Sequence, residues 1–109
     1  MKKLLIVGIA CLATAALSAR AADAKTTYED ACAKCHGTDG KGDTKMGKRL
    51  GAKDYTDAKV QADLKDDAAT KAIKEGLKDE NGKTLMKPAD GLSDDDIKAL
   101  VAYMRAFKQ

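Results

Sequence analysis

The chain has 109 residues, room for one domain and no more. Of its 20 basic residues, Lys2, Lys3 and Arg20 stand before residue 22, where no acidic residue falls. The other 17 match all 17 acidic ones, so the formal +3 belongs to the N-terminal segment alone. That balance removes any global electrostatic case for binding nucleic acid or an anionic membrane.

Residues 1–21 have the three parts of a secretory signal peptide: Lys2 and Lys3, an apolar run from Leu4 to Leu17, and Ala19-Arg20-Ala21 as a small-x-small cleavage site. The apolar run is too short for a permanent membrane anchor. Cleavage is expected after Ala21, because a cut one residue later puts Arg20 where a small side chain is needed. Cys11 lies inside the apolar run, but Gly8 stands where a lipid-attachment signal prefers a larger aliphatic residue, so Cys11 is assigned to the discarded leader. Export puts the mature domain, residues 22–109, in an oxidising compartment, in a bacterium the periplasm or beyond. Only 11 of those residues are Leu, Ile, Val or Phe. That share is below the roughly one-fifth under which a chain with unbalanced charge begins to look disordered, so either the domain folds poorly or something other than side chains fills its centre.

The first helix is expected to start near Thr26 or Thr27, either hydroxyl serving as cap, and to run into Cys32 and Cys35. A glycine-rich loop follows, with five glycines between Gly37 and Gly51. Two short helices come next: Asp57 to Leu64, and Asp66 to about Lys74, the second with Ala69, Ala72, Ile73 and Leu77 on one face and Gly76 at its end. A further loop, Asp79 to Gly91, contains the turn signal Asn81-Gly82 and then Met86-Lys87-Pro88. The last helix has the fullest set of signals. Ser93 caps it, Asp94 to Asp96 place negative charge on its first turn, and Arg105 and Lys108 place positive charge on its last. Leu92 and Ile97 have the spacing of a hydrophobic staple, and Ile97, Leu100, Val101 and Met104 form a buried stripe. No segment alternates like a strand, so the expected fold is all-α with long connections.

The chemistry is concentrated in Cys32-Ala33-Lys34-Cys35-His36. In a C-x-x-C-H arrangement the two thiols add across the two vinyl groups of a haem, and the following histidine presents its imidazole to the iron. Other uses of the same residues fail on ligand supply. Structural zinc needs four ligands, whereas the mature chain has two Cys and one His, and no spare cysteines exist for an iron–sulfur cluster. A redox disulfide is the remaining alternative, but such pairs normally sit in a βαβ context, which is missing here. A covalent haem also answers the composition problem, because its large apolar ring supplies the missing core.

The sixth iron position falls to a methionine, since no second histidine exists. Met104 fits the buried stripe and reads as core. Met46 could ligate, yet a chain leaving the proximal side must travel round the ring, and the ten residues of polar loop after His36 give little support for that. Met86 has the sequence distance to cross to the far face, and Pro88 stiffens the segment presenting it. Arg49, Lys53 or Tyr55 are candidates to hold the haem propionates, and of these Arg49 and Tyr55 are carried forward as cofactor-binding residues.

Cys32-Ala33-Lys34-Cys35-His36-Gly37, then Asp39-Gly40-Lys41-Gly42, Met86-Lys87-Pro88 and the final helix from Gly91 to Arg105 together resemble the small soluble bacterial class I cytochromes c, over essentially all of the mature chain. The resemblance implies three to five helices around one covalent haem c, crossing terminal helices, His36 as proximal and Met86 as distal ligand. It also implies a contact between Tyr28 and Tyr103, with Ala24 standing where a small residue, often glycine, precedes that tyrosine. The chain departs from many such proteins in lacking a proline soon after the motif whose carbonyl would receive the second nitrogen of His36, which leaves the group that orients this ligand unassigned.

The function this implies is one-electron transfer by a monomer that docks transiently with redox partner proteins at an exposed haem edge, with no bond chemistry and no nucleic acid. Lys34, Lys41, Lys45 and Lys87 are candidates to ring that edge, though solvated surface accounts for them equally well. Without Met86 on the iron, the alternatives are a five-coordinate module that binds a small gas, or a haem peroxidase. A peroxidase would lack a second histidine for acid–base work.

Overall fold

The structure is a computed structural model and describes residues 23–109; the proposed leader and its Cys11 lie outside the described residues. Helix α1 covers residues 23–36. It does not begin at Thr26 or Thr27. Thr27 is already helical, at φ −60° and ψ −43°, and its side chain caps nothing. A threonine hydroxyl caps a helix only when its own backbone is extended. Within α1 the stretch Tyr28–Cys32 widens into a π turn, closed by the Ala33 N–H donating to the Tyr28 carbonyl, before Ala33–His36 returns to α geometry.

The glycine-rich segment is not all loop. It contains helix α2, Lys45–Leu50, with Thr44 as N-cap accepting from the Gly47 N–H and Gly51 ending it in the left-handed region at φ 78°. Helix α3, Ala58–Asp63, is capped by Asp57, whose carboxylate accepts from the Lys59 and Val60 N–H groups. Helix α4, Asp66–Glu75, stops at Gly76. Leu77, expected on the same helical face, instead opens strand β1, Leu77–Lys78, and is 48% exposed. Strand β1 pairs antiparallel with β2, Thr84–Met86, in a small hairpin with Leu77 opposite Met86. Two- and three-residue strands are too short to show alternation, so the Asn81-Gly82 turn signal was the one mark of this pairing in the sequence. Gly82, at φ +79°, and the Asp79 carboxylate, accepting from the Asn81 and Lys83 N–H groups, close the turn.

Helix α5, Asp94–Arg105, matches expectation except at its end: it stops at Arg105, so Lys108 lies beyond the last turn. Ser93 and Asp96 form a full capping box, and Ile97, Leu100, Val101 and Met104 are its buried residues. This helix is the axis of the core. One side meets α1 through Leu100, Ala24 and Tyr28, where Tyr28, Tyr103 and Phe107 form an aromatic trio with centroids 5.0–5.3 Å apart. The other side meets α4 through Val101, Met104 and Ala69, with Tyr55 and Leu64 packed against them. Met104 is therefore a core residue.

The last turn of α5 is fastened by polar groups. Arg105 donates to the Gln61 carbonyl at 2.7 Å, to the Gln61 side-chain oxygen at 2.9 Å, to the Leu64 carbonyl and to Asp66. Gln61, only 6% exposed, donates from its amide to the carbonyls of Tyr55 at 2.7 Å and Met104 at 3.1 Å.

Candidate functional site

Cys32 ends the π turn, and Cys35 and His36 occupy the last turn of α1, so the helix sets the spacing of all three. The two thiols are half-buried and not bonded to each other. Burial, and secondarily the neighbouring Cys35, pushes the Cys32 thiol above its ordinary value. Burial pushes the His36 imidazole below its own, which favours the neutral ring that can donate a lone pair to a metal.

A helix end leaves carbonyls without partners, and here each one after Lys34 finds a donor from the segment that wraps the motif. The Thr44 hydroxyl donates to the Cys35 carbonyl at 2.9 Å, the Gly42 N–H to the His36 carbonyl at 2.8 Å, and the buried Tyr28 hydroxyl to the Gly37 carbonyl at 2.6 Å. Burial drives the Tyr28 hydroxyl strongly upward, so it stays protonated and able to donate. Gly47 makes the approach possible. A Cβ at this position would collide with the Cys35 carbonyl and would lie 2.6 Å from the Gly42 carbonyl, so the backbone of α2 rests directly on that of the motif. The glycine serves close packing rather than a turn.

His36 has its ring centroid 5.5 Å from that of Tyr55, with the planes inclined by 34°. Its Nδ1 is sealed from solvent and has no hydrogen-bond partner, while Nε2 is not enclosed in this way. A half-buried imidazole whose Nδ1 alone is enclosed, at the same helix end as two unpaired thiols, fits a covalently attached haem with His36 facing its iron.

The remaining sequence candidates are spread over other elements. Met86 is half-buried at the end of β2. Gly76, at φ +76°, lies so close to the Met86 carbonyl and to Pro88 that no Cβ fits between them, which packs the presenting segment on the end of α4. Met46 is half-buried on α2. Arg49 is exposed on the last turn of the same helix, whereas Tyr55 is half-buried beside the site. Lys34, Lys41, Lys45, Lys53 and Lys87 are all exposed. Sequence reading missed Thr44, Gly47 and Gln61. A Thr44–Gly51 cap pair around six residues was a usable signal for α2, but nothing local marked Gln61.

The structure has c-type cytochromes among its likenesses. The family model described as Cytochrome c matches residues 21–108. The solved structure of KustC0563 c-type cytochrome is 34% identical, with a TM-score of 0.67, over 79% of this chain and 98% of that one. A tyrosine-to-phenylalanine mutant of Kustc0563 matches at 34% identity and a TM-score of 0.66, over 79% of this chain and 99% of that one. No curated protein matches.

Proposed function

The chain belongs to the cytochrome c family, and from that premise we propose that His36 and Met86 ligate the iron of one haem c held through Cys32 and Cys35, in a monomeric periplasmic carrier that performs no bond chemistry. Members of the family hold haem c through a cysteine pair with this spacing, and the chain is a haem c electron-transfer protein that works with redox partners. When bound, the haem supplies a one-electron iron couple. The chain's own residues do the rest. The neutral imidazole of His36 and the soft thioether of Met86 would hold the iron, which would leave no place for a substrate and favour the reduced metal. Arg49 and Tyr55 would hold the propionates, and Lys34, Lys41, Lys45 and Lys87 would border the docking edge.

The observation that supports this reading most is the anchored end of α1. With the carbonyls of Cys35, His36 and Gly37 all engaged, the two sulfurs and the imidazole are preorganised, and a change of charge at the metal need not move them. Among the described residues no helix is long and apolar enough to cross a membrane. Residues 1–21 act as a signal cleaved after Ala21, which delivers the chain to the compartment where haem is attached.

Absorption spectroscopy tests the ligand set. The oxidised protein should show a weak sulfur-to-iron band in the far red that is lost in Met86→Ala, and the reduced wild type should take up no carbon monoxide. Rapid uptake by the wild type would mean an open iron site and would overturn the carrier assignment in favour of a gas-binding module or a peroxidase.

A further inference from the structure

We infer that His36 is oriented by the ring of Tyr55 in place of a hydrogen bond, and that Gln61 is the positioning residue that holds Tyr55 there. The inference deepens the proposed function and rests on His36 being an iron ligand. A ligating histidine ordinarily donates its second N–H to an oxygen, and that bond fixes the plane and donor strength of the ring. The Nδ1 of His36 is buried and finds no acceptor in the protein. The ring packed against it is Tyr55, at 5.5 Å and 34°.

Tyr55 is held from both sides of its backbone. Its N–H donates to the Gly40 carbonyl at 2.8 Å, and its carbonyl accepts the Gln61 amide at 2.7 Å. Gln61 has no freedom to turn away. Its two amide protons go to Tyr55 and Met104, and its side-chain oxygen takes a bond from Arg105. A substitution without that amide strands two carbonyls in a buried place and releases Tyr55, whereas loss of Arg105 leaves the Gln61–Tyr55 bond intact. The plane and donor strength of an imidazole that held the iron would bear on its redox balance, so loosening Tyr55 should be read there.

The test is a redox titration of the holoprotein and its variants. At the wild-type midpoint, Gln61→Leu and Tyr55→Leu should each change the ratio of oxidised to reduced protein about threefold or more, equivalent to about 28 mV at 59 mV per tenfold. Tyr55→Phe, which keeps the ring and loses only the hydroxyl assigned to a propionate, should move the ratio less than either. The double variant should move no further than Tyr55→Leu alone, the mark of two residues acting in series. Ile97→Val, which thins the core at the other end of α5, should lower the melting temperature without moving the ratio. If Gln61→Leu does not accumulate, Gln61→Met keeps the side-chain length and is judged by the same ratio. A fall in melting temperature with an unchanged ratio, or additive shifts in the double variant, would overturn the inference. Failure of the underlying reading has a different sign: His36→Ala would keep the wild-type haem spectrum.

Discussion

Where α1 meets α5 the chain is held by side chains, with Tyr28, Tyr103 and Phe107 interlocked over Leu100. Around the motif, from Gly37 to Tyr55, it is held by backbone, with N–H groups and hydroxyls closing on carbonyls and Gly47 letting two main chains touch. The first kind of contact buries apolar area and needs no cofactor. The second fixes geometry but buries little, so it depends on an apolar ring to complete it. A chain with so few large aliphatic residues can fold because many of its scarce apolar side chains lie on α5 or pack against it, and the motif region is left to be filled by haem.

Removing both attachment points should have the largest effect. Cys32→Ala with Cys35→Ala should lose most of the native helical circular dichroism, and a double variant with the full signal would break the contrast between the two regions. Next is Ile97→Ala, which empties a position only 1% exposed and should cost about 2–5 kcal/mol in denaturant unfolding. On the motif side, Gly47→Ala should cost about 1–3 kcal/mol by overpacking against the Cys35 carbonyl. Because the strain falls on the motif, it should also shift the haem absorption, which Ile97→Ala should not do.

Acid sharpens the same distinction. Burial alone lowers the His36 imidazole below its ordinary 6.5, and holding an iron through its lone pair would resist protonation in the same direction. The unfolded chain therefore takes up the proton first, and stability is present above that pH and lost as pH falls through it toward the folded value. The slope is at most about 1.4 kcal/mol per pH unit, and unfolding followed at a series of pH values should show it. The smallest effect is expected at the start of α5, where Ser93→Ala removes half of the capping box and should cost about 1 kcal/mol with no spectral change.

What the sequence disclosed follows the range over which each feature is determined. Helix α5 was legible because its cap, charges and stripe all lie within one run of residues, and the C-x-x-C-H motif for the same reason. The short α2 was hidden by glycines that look like loop, although Gly47 is present for a close approach and only Gly51 for a turn. The hairpin's strands are too short to alternate, although Asn81-Gly82 marks its turn, and the Gln61–Arg105 clamp joins residues that no local pattern connects; Arg105 reaches groups 39–44 positions away. The π turn before Cys32 likewise has no signature in residue type. Tyr55 was picked out as a propionate donor, and the structure adds its contact with His36, which depends on how a distant helix packs.

The hairpin that ends in Met86 has a further consequence. Its tip, residues 80–83, is wholly exposed and is closed by the Asp79 side chain, with the ladder rather than the tip fixing Met86. Foreign sequence spliced into that exposed tip should leave the register of Met86 unaltered, which makes it a suitable place to graft a tag, a tether to an electrode or a second domain.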